Sequence, residues 1–240
     1  MVFERGQDGA DCATVGLMIE PIATQSLQLK VLLRDVHPAV WRRVTLSDAL
    51  SIADLHQVIQ LLLGWDDDHL HRFCIQGCEF GIAYAGGLDF DEDAAAVPLS
   101  RFQFRPTERF LYEYDFTAGW QIEIRVEKVT HPGSCSKPPF CTAGREPSPP
   151  DGCGGPKCYA EQRREVFSGG MADDMDTVVA VLRRVSDRDP TVLDDPDERW
   201  DFERAVSRLE ARRPFLSDGF ERTVVNVALR QAFAAAGSPP

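Results

Sequence analysis

The chain has 240 residues, 43% of them hydrophobic, and a formal charge of −12: enough apolar side chains for a proper core, and too much negative charge for general binding to a phosphate backbone. No apolar run reaches the roughly 18 residues of a membrane helix, and the start Met-Val-Phe-Glu-Arg-Gly-Gln-Asp lacks the basic-then-apolar order of a secretion signal. Seven cysteines, an odd number without such a signal, favour reduced thiols or a metal over a disulfide framework, so the expectation is a cytoplasmic protein with no membrane role and a protein partner rather than nucleic acid.

Residues 1–24 lack sustained periodicity and contain Gly6, Gly9 and Gly16, which predicts a flexible tail. From residue 27 the pattern tightens. Leu27, Leu29, Val31 and Leu33 alternate with Gln28, Lys30 and Arg34, the mark of a strand with one face inward. A second strand follows Pro38 and carries Trp41, Val44 and Leu46, and its alternation sends Arg42 and Arg43 to opposite faces. Ser51 and Asp54 have the spacing of a capping box, and Ile52, Leu55, Ile59, Leu62 and Leu63 make the apolar stripe of a helix that Gly64 ends. Asp66, Asp67 and Asp68 come next. They form either an exposed turn screened by water or an attraction for a cation or for Arg72.

His69 and His71 fall two apart on a predicted strand, on one face and about 6.6 Å apart along it, a spacing that suits two ligands of one ion or an acid-base pair. The same face continues through Phe73 and Ile75, so the segment reads as inward scaffold, its ring nitrogens held by neighbours such as Asp115 or a carbonyl. Beyond residue 80, Ala85-Gly86-Gly87 and the acids at 89–93 predict a surface loop, and 97–102 a short turn or helix. Residues 110–116 and 120–127 alternate cleanly and are joined by Thr117-Ala118-Gly119, a hairpin with an aromatic and aliphatic face.

Residues 131–157, rich in Pro, Gly, Ser and Cys, read as loop. Within and just after them, Cys135, Cys141, Cys153 and Cys158 supply four thiols for a structural zinc, although tight Cys-x-x-Cys pairs are missing. Helices are predicted at about 159–167, 175–185, 197–212 and 218–235, the last capped by Ser217. The expected fold class is α+β: a small mixed or antiparallel sheet with a packed amphipathic helix, then a helical annex. The division is a tail at 1–24, a core at 25–165 and a helical region at 166–240.

Trp41-Arg42-Arg43, Leu55-His56, Gly64-Trp65, His69-Leu70-His71-x-Phe73, Tyr114-Asp115-Phe116, Trp120, Pro149-Pro150, Cys153-Gly154-Gly155 and Tyr159 together resemble the Ri-plasmid open-reading-frame-three-like family, often grouped with insertion-element passengers as TnpR-like proteins. The resemblance implies a mobile-element association and brings no established activity. Resolvase chemistry is excluded on the residues: Ser26 opens a strand with no arginine cluster, and the C-terminal helices are mixed in charge rather than a basic helix-turn-helix. Where the family pattern shows Asp-Phe-Gly-Asp with a nearby His, this chain has Asp115-Phe116-Thr117-Ala118 and Ile122, and Ser148 stands where cysteine precedes Pro-Pro. The resulting expectation is a binding module without catalysis, working through Trp41, Arg42, Arg43, Trp65, His69, His71, Asp115 and Trp120. The alternative is a metal-dependent hydrolase or nuclease using His69, His71 and Asp115.

Overall fold

A computed structural model describes residues 24–82, 90–130, 138–168, 170–215 and 219–234. The tail at 1–23, Ala85, Gly86, Gly87, Cys135 and Ser217 lie outside the described residues. Among the described residues eight strands form one sheet: β1 (Ser26–Leu33), β2 (Trp41–Ser47), β3 (His71–Ile75), β4 (Cys78–Gly81), β5 (Glu92–Asp93), β6 (Arg109–Tyr114), β7 (Trp120–Thr130) and β8 (Phe140–Arg145). Their order is β5-β4-β3-β6-β7-β1-β2-β8, every pairing antiparallel except β4 with β5. The fold is α+β, as the residue patterns predict, and the sheet is larger than the small one expected.

The alternation read in the sequence becomes two unlike faces. Leu27, Leu29, Val31, Leu33, Phe73, Tyr112, Tyr114, Trp120, Ile122, Ile124 and Val126 are buried on one side. The other side carries polar pairs. Arg43 donates to Glu127 at 2.5 and 3.0 Å, and Arg72 to Glu113 at 2.5 Å. Helix α1 (Ile52–Leu63) covers the apolar side with Ile52, Leu55, Val58, Ile59, Leu62 and Leu63, all buried. Each such side chain contributes about 1.5–3 kcal/mol on leaving water. Both halves of the capping box form: Asp54 N–H donates to Ser51 Oγ, and Ser51 N–H to the Asp54 carboxylate. Gly64, at φ 68°, ends the helix in the left-handed conformation that glycine adopts without a Cβ clash.

Four further helices follow: α2 (Gly155–Ser168), α3 (Met171–Ser186), α4 (Pro196–Arg212) and α5 (Arg222–Ala234). The loop expected across 131–157 is corrected in part, because β8 lies inside it and pairs with β2 from Trp41↔Arg145 to Thr45↔Phe140. That pairing partner is some hundred residues away in the chain, so local composition carries no trace of it. α5 returns to this strand: the Asn226 side chain accepts from Cys141 N–H at 2.7 Å and donates to Cys141 C=O at 2.9 Å, completing an edge that would otherwise be bare. No helix of the described residues is long and apolar enough to cross a membrane.

Candidate metal centre

The sequence-selected residues separate when the chain folds. β3 begins at His71, so His69 precedes the strand instead of sharing its face. His69 is half exposed and its Nε2 lies 3.8 Å from Asp115 Oδ2. Asp115 is also committed to the hairpin turn, its Oδ1 accepting from Thr117 and Ala118 N–H at 3.1 Å. His71 points inward, 8% exposed, and meets neither of them. Its ring stacks on His56 of α1, with centroids 3.5 Å apart and planes within 8°.

His56 is the residue that the sequence reading passed over. It follows Ile52 by four and precedes Ile59 by three and Leu63 by seven, the spacing of one helix face, and that periodicity is the signal that places it inward. Its Nδ1 lies 2.7 Å from the Tyr112 hydroxyl and its Nε2 2.6 Å from Asp67 Oδ1. Asp67 reaches back over the helix because its backbone is left-handed, at φ 59°, a conformation Asp tolerates better than most residues. So one of the three aspartates after α1 turns onto a histidine. Arg72, the other partner expected for them, is engaged by Glu113 and Glu79.

One ligand atom from each of His56, Asp67 and His71 falls within 4.8 Å of the others, the one such group among the described residues. His71 Nε2 is buried there without a hydrogen-bond partner. An orphaned buried nitrogen costs about 1–3 kcal/mol, which a bound ion would recover. Burial pushes His71 down to about 3, with His56 adding to the effect, and burial also lowers His56 against the opposing pull of Asp67. Both rings are therefore neutral near pH 7, the protonation state that ligates metals. Asp67, with a 57% exposed side chain, stands at the mouth, and the group opens on a cavity of about 390 Å³ shared with Asp68, His69 and Ile82.

The surroundings suit a ligated imidazole. A metal-bound histidine donates its second ring N–H to an outer partner, and Tyr112 stands at His56 Nδ1 for that purpose. Burial raises the Tyr112 phenol well above its ordinary value, so it stays protonated, and Gln60 Nε2 donates to its oxygen at 2.8 Å. The parallel rings set one condition. The rings are stacked face to face, so one would have to tilt for both to direct a nitrogen at the same ion.

The remaining predicted residues lie outside this group. Trp65 and Trp120 are buried, and their indoles donate to Pro149 C=O at 2.9 Å and Asp151 C=O at 3.0 Å, fastening the Pro-Pro loop to the core. Arg42 is buried beneath Phe220 and donates to the carbonyls of Leu62, Trp41 and Arg145 and to Ser148 Oγ at 2.8–3.0 Å. Trp41 is half-buried on the polar face, with Lys30 and Arg43 over its ring at 5.2 and 5.3 Å. Cys141 is buried on β8, Cys153 is half-buried and Cys158 exposed, and among the described residues these thiols form no metal-holding group. The four-thiol zinc expectation finds no support there.

The profile of a family described as Plasmid pRiA4b ORF-3-like protein matches residues 25–193. The chain belongs to that family. Like it is Uncharacterized protein y4hQ of Sinorhizobium fredii (strain NBRC 101917 / NGR234), 35% identical over 148 residues that span 61% of this chain and 73% of the relative. A crystal structure of a protein of unknown function, MM3350 from Methanosarcina mazei Go1, superposes with a TM-score of 0.53 at 27% identity, over 63% of this chain and 86% of the other. The pRiA4b ORF-3-like span contains His56, Asp67, His69, His71 and Asp115. Neither relative is described with an activity, so membership carries the fold and no reaction.

Proposed function

We propose that this pRiA4b ORF-3-like protein binds one divalent transition-metal ion through His56, Asp67 and His71 and uses it for metal-assisted hydrolysis. The carrying observation is the buried, unpartnered His71 Nε2 beside a second neutral imidazole and a carboxylate. Two imidazoles and one carboxylate with an open side make a ligand set suited to Zn²⁺ or Fe²⁺, and three protein ligands leave a position for water. Such an ion would supply a water of lowered pKa for hydrolysis. His69, which lines the same cavity and lies 3.8 Å from Asp115, would be the candidate to accept a proton there. The earlier trio of His69, His71 and Asp115 thus divides into one ligand and one acid-base pair.

A protein partner is favoured over nucleic acid by the charge of −12 and by the engagement of Arg42, Arg43, Arg72, Arg184 and Arg208 with carbonyls or carboxylates. The free thiols support a reducing compartment such as the cytoplasm. Residues 25–165 are read as the family core and 166–240 as the helical region.

The test is metal content and reloading. Wild type dialysed free of metal and titrated with Zn²⁺ or Fe²⁺ should take up about one equivalent, as should His69→Ala and Cys153→Ala. His71→Ala and His56→Ala, checked for folding by circular dichroism, should take up none. Uptake by folded His71→Ala equal to wild type, or none by wild type, would refute the site.

A further inference from the structure

A second cavity, of about 430 Å³, lies between the start of β1, the turn after β2 and the segment that follows the short helical turn at Leu99–Phe102. It shares no lining residue with the cavity at the metal centre. Leu27, Leu99, Phe104, Pro106 and Val129 give it apolar walls, and Asp48 brings a carboxylate among them. Asp48 is 5% exposed and is fixed by its neighbours: its N–H donates to Gln25 C=O at 2.9 Å, its C=O accepts from Ser100 N–H at 2.7 Å, and its Oδ1 accepts from Gln25 N–H at 2.7 Å. Oδ2 has no partner in another of the described residues, and no Lys or Arg among them forms an ion pair with Asp48. Arg105 lines the same cavity but stands exposed. A carboxylate costs free energy to withdraw from water unless a positive group meets it, and burial accordingly raises the Asp48 carboxyl above its ordinary value. The bond from Gln25 does not call for that charge, since the oxygen of an asparagine would accept it too.

We infer that this cavity binds an organic monocation, a protonated amine on a short hydrocarbon body, with the ammonium on Asp48 and the hydrocarbon against Leu27, Leu99 and Val129. Such a molecule supplies both things that the site lacks: a positive donor for Oδ2 and apolar surface for the walls. A divalent metal ion fits poorly, because no histidine, thiol or further carboxylate joins Asp48 in a metal-holding group among the described residues. Anions are repelled by the carboxylate, and the net charge of −12 draws cations to the molecule. The volume falls within the range of about 300–1,000 Å³ for small-molecule sites. The backbone bonds hold Asp48 in place before any ligand arrives, so little ordering is left for binding to supply.

The test is n-butylammonium titrated into the full chain at about 150 mM salt and followed by amide chemical shifts. The Gln25 and Ser100 amides should shift and saturate in the millimolar range, as befits one charged contact and a small apolar body. 1-Butanol, the same body without the charge, should bind about tenfold more weakly or worse, and butyrate not at all. Asp48→Asn, which keeps an acceptor for Gln25 and is checked for folding by circular dichroism, should weaken n-butylammonium by a similar factor. Val129→Phe, which fills the cavity and leaves the carboxylate, should weaken it too. Glu210→Gln, which removes the same charge from an exposed position, should leave binding unchanged. Equal binding of amine and alcohol, wild-type affinity in Asp48→Asn, or no saturable shift in the wild type would overturn the site. So would binding seen only in Arg105→Gln, because Asp48 would then serve the chain's own guanidinium.

Discussion

Arg42 shows how much one buried side chain can organise. Its guanidinium closes the carbonyl end of α1 at Leu62, ties β2 to β8 through Trp41 and Arg145, and holds the loop at Ser148. Burial lowers its pKa to about 10, still far enough above neutrality to keep the charge. Arg42→Lys keeps the charge but cannot reach four acceptors in a fork, so it should cost about 2 kcal/mol, a fall of roughly 4–8 °C in thermal unfolding. The Ser148 hydroxyl is one of those acceptors. The opposite facing of Arg42 and Arg43 was legible from strand alternation alone. The inward turn of His71 was legible too, and its partner was not. His56 sits fifteen residues earlier on another element, and Asp67 reaches it only through a left-handed backbone that composition does not announce.

Among the elements, α2 is placed by a glycine. Gly155 sits at φ 93°, and a Cβ there would lie 2.0 Å from the carbonyl oxygen of Ala118 in the hairpin turn. Gly155→Ala should therefore destabilise by about 2 kcal/mol or more and detach the helix start from the turn, readable as faster amide exchange at the start of α2. α3 and α4 are joined by Asp174, which accepts from Arg208 and Arg212 at 2.5–2.9 Å. Arg208, and then Arg212, hold its carboxyl below the usual carboxylate range. The sign follows. This contribution is whole above the unfolded carboxylate pKa of about 4 and is lost as pH falls through the lower folded value. Acid titration should weaken the α3–α4 pair in that window, and Asp174→Asn should reduce the pH dependence while lowering the melting temperature by a few degrees at pH 7. The first four core elements were legible because each has a clean period, and α1 its own caps besides. β8 was not, because its partners are β2 and a side chain of α5, both remote in sequence.

At the scale of the molecule, strand alternation told of one apolar and one polar face, but not of the order in which strands lie. β7 comes to sit beside β1 and β6 beside β3 through connections whose geometry no local pattern records. On the polar face Arg43 is paired with Glu127, Arg72 with Glu113 and Arg109 with Glu123. Titration against DNA or RNA at about 150 mM salt should give no saturable binding, and a steep salt dependence would contradict that expectation.

The amide of Asn226 acts as a stand-in for one residue of a ninth strand. Asn226→Ala would strand a buried N–H and C=O of Cys141 and should cost about 2–4 kcal/mol, measured by urea unfolding. The family-matched span, 25–193, ends before α5 begins at Arg222. A fragment cut to that span would present an open backbone seam along β8, a template for neighbouring copies. It should precipitate or stack edge to edge, where the full chain stays dispersed.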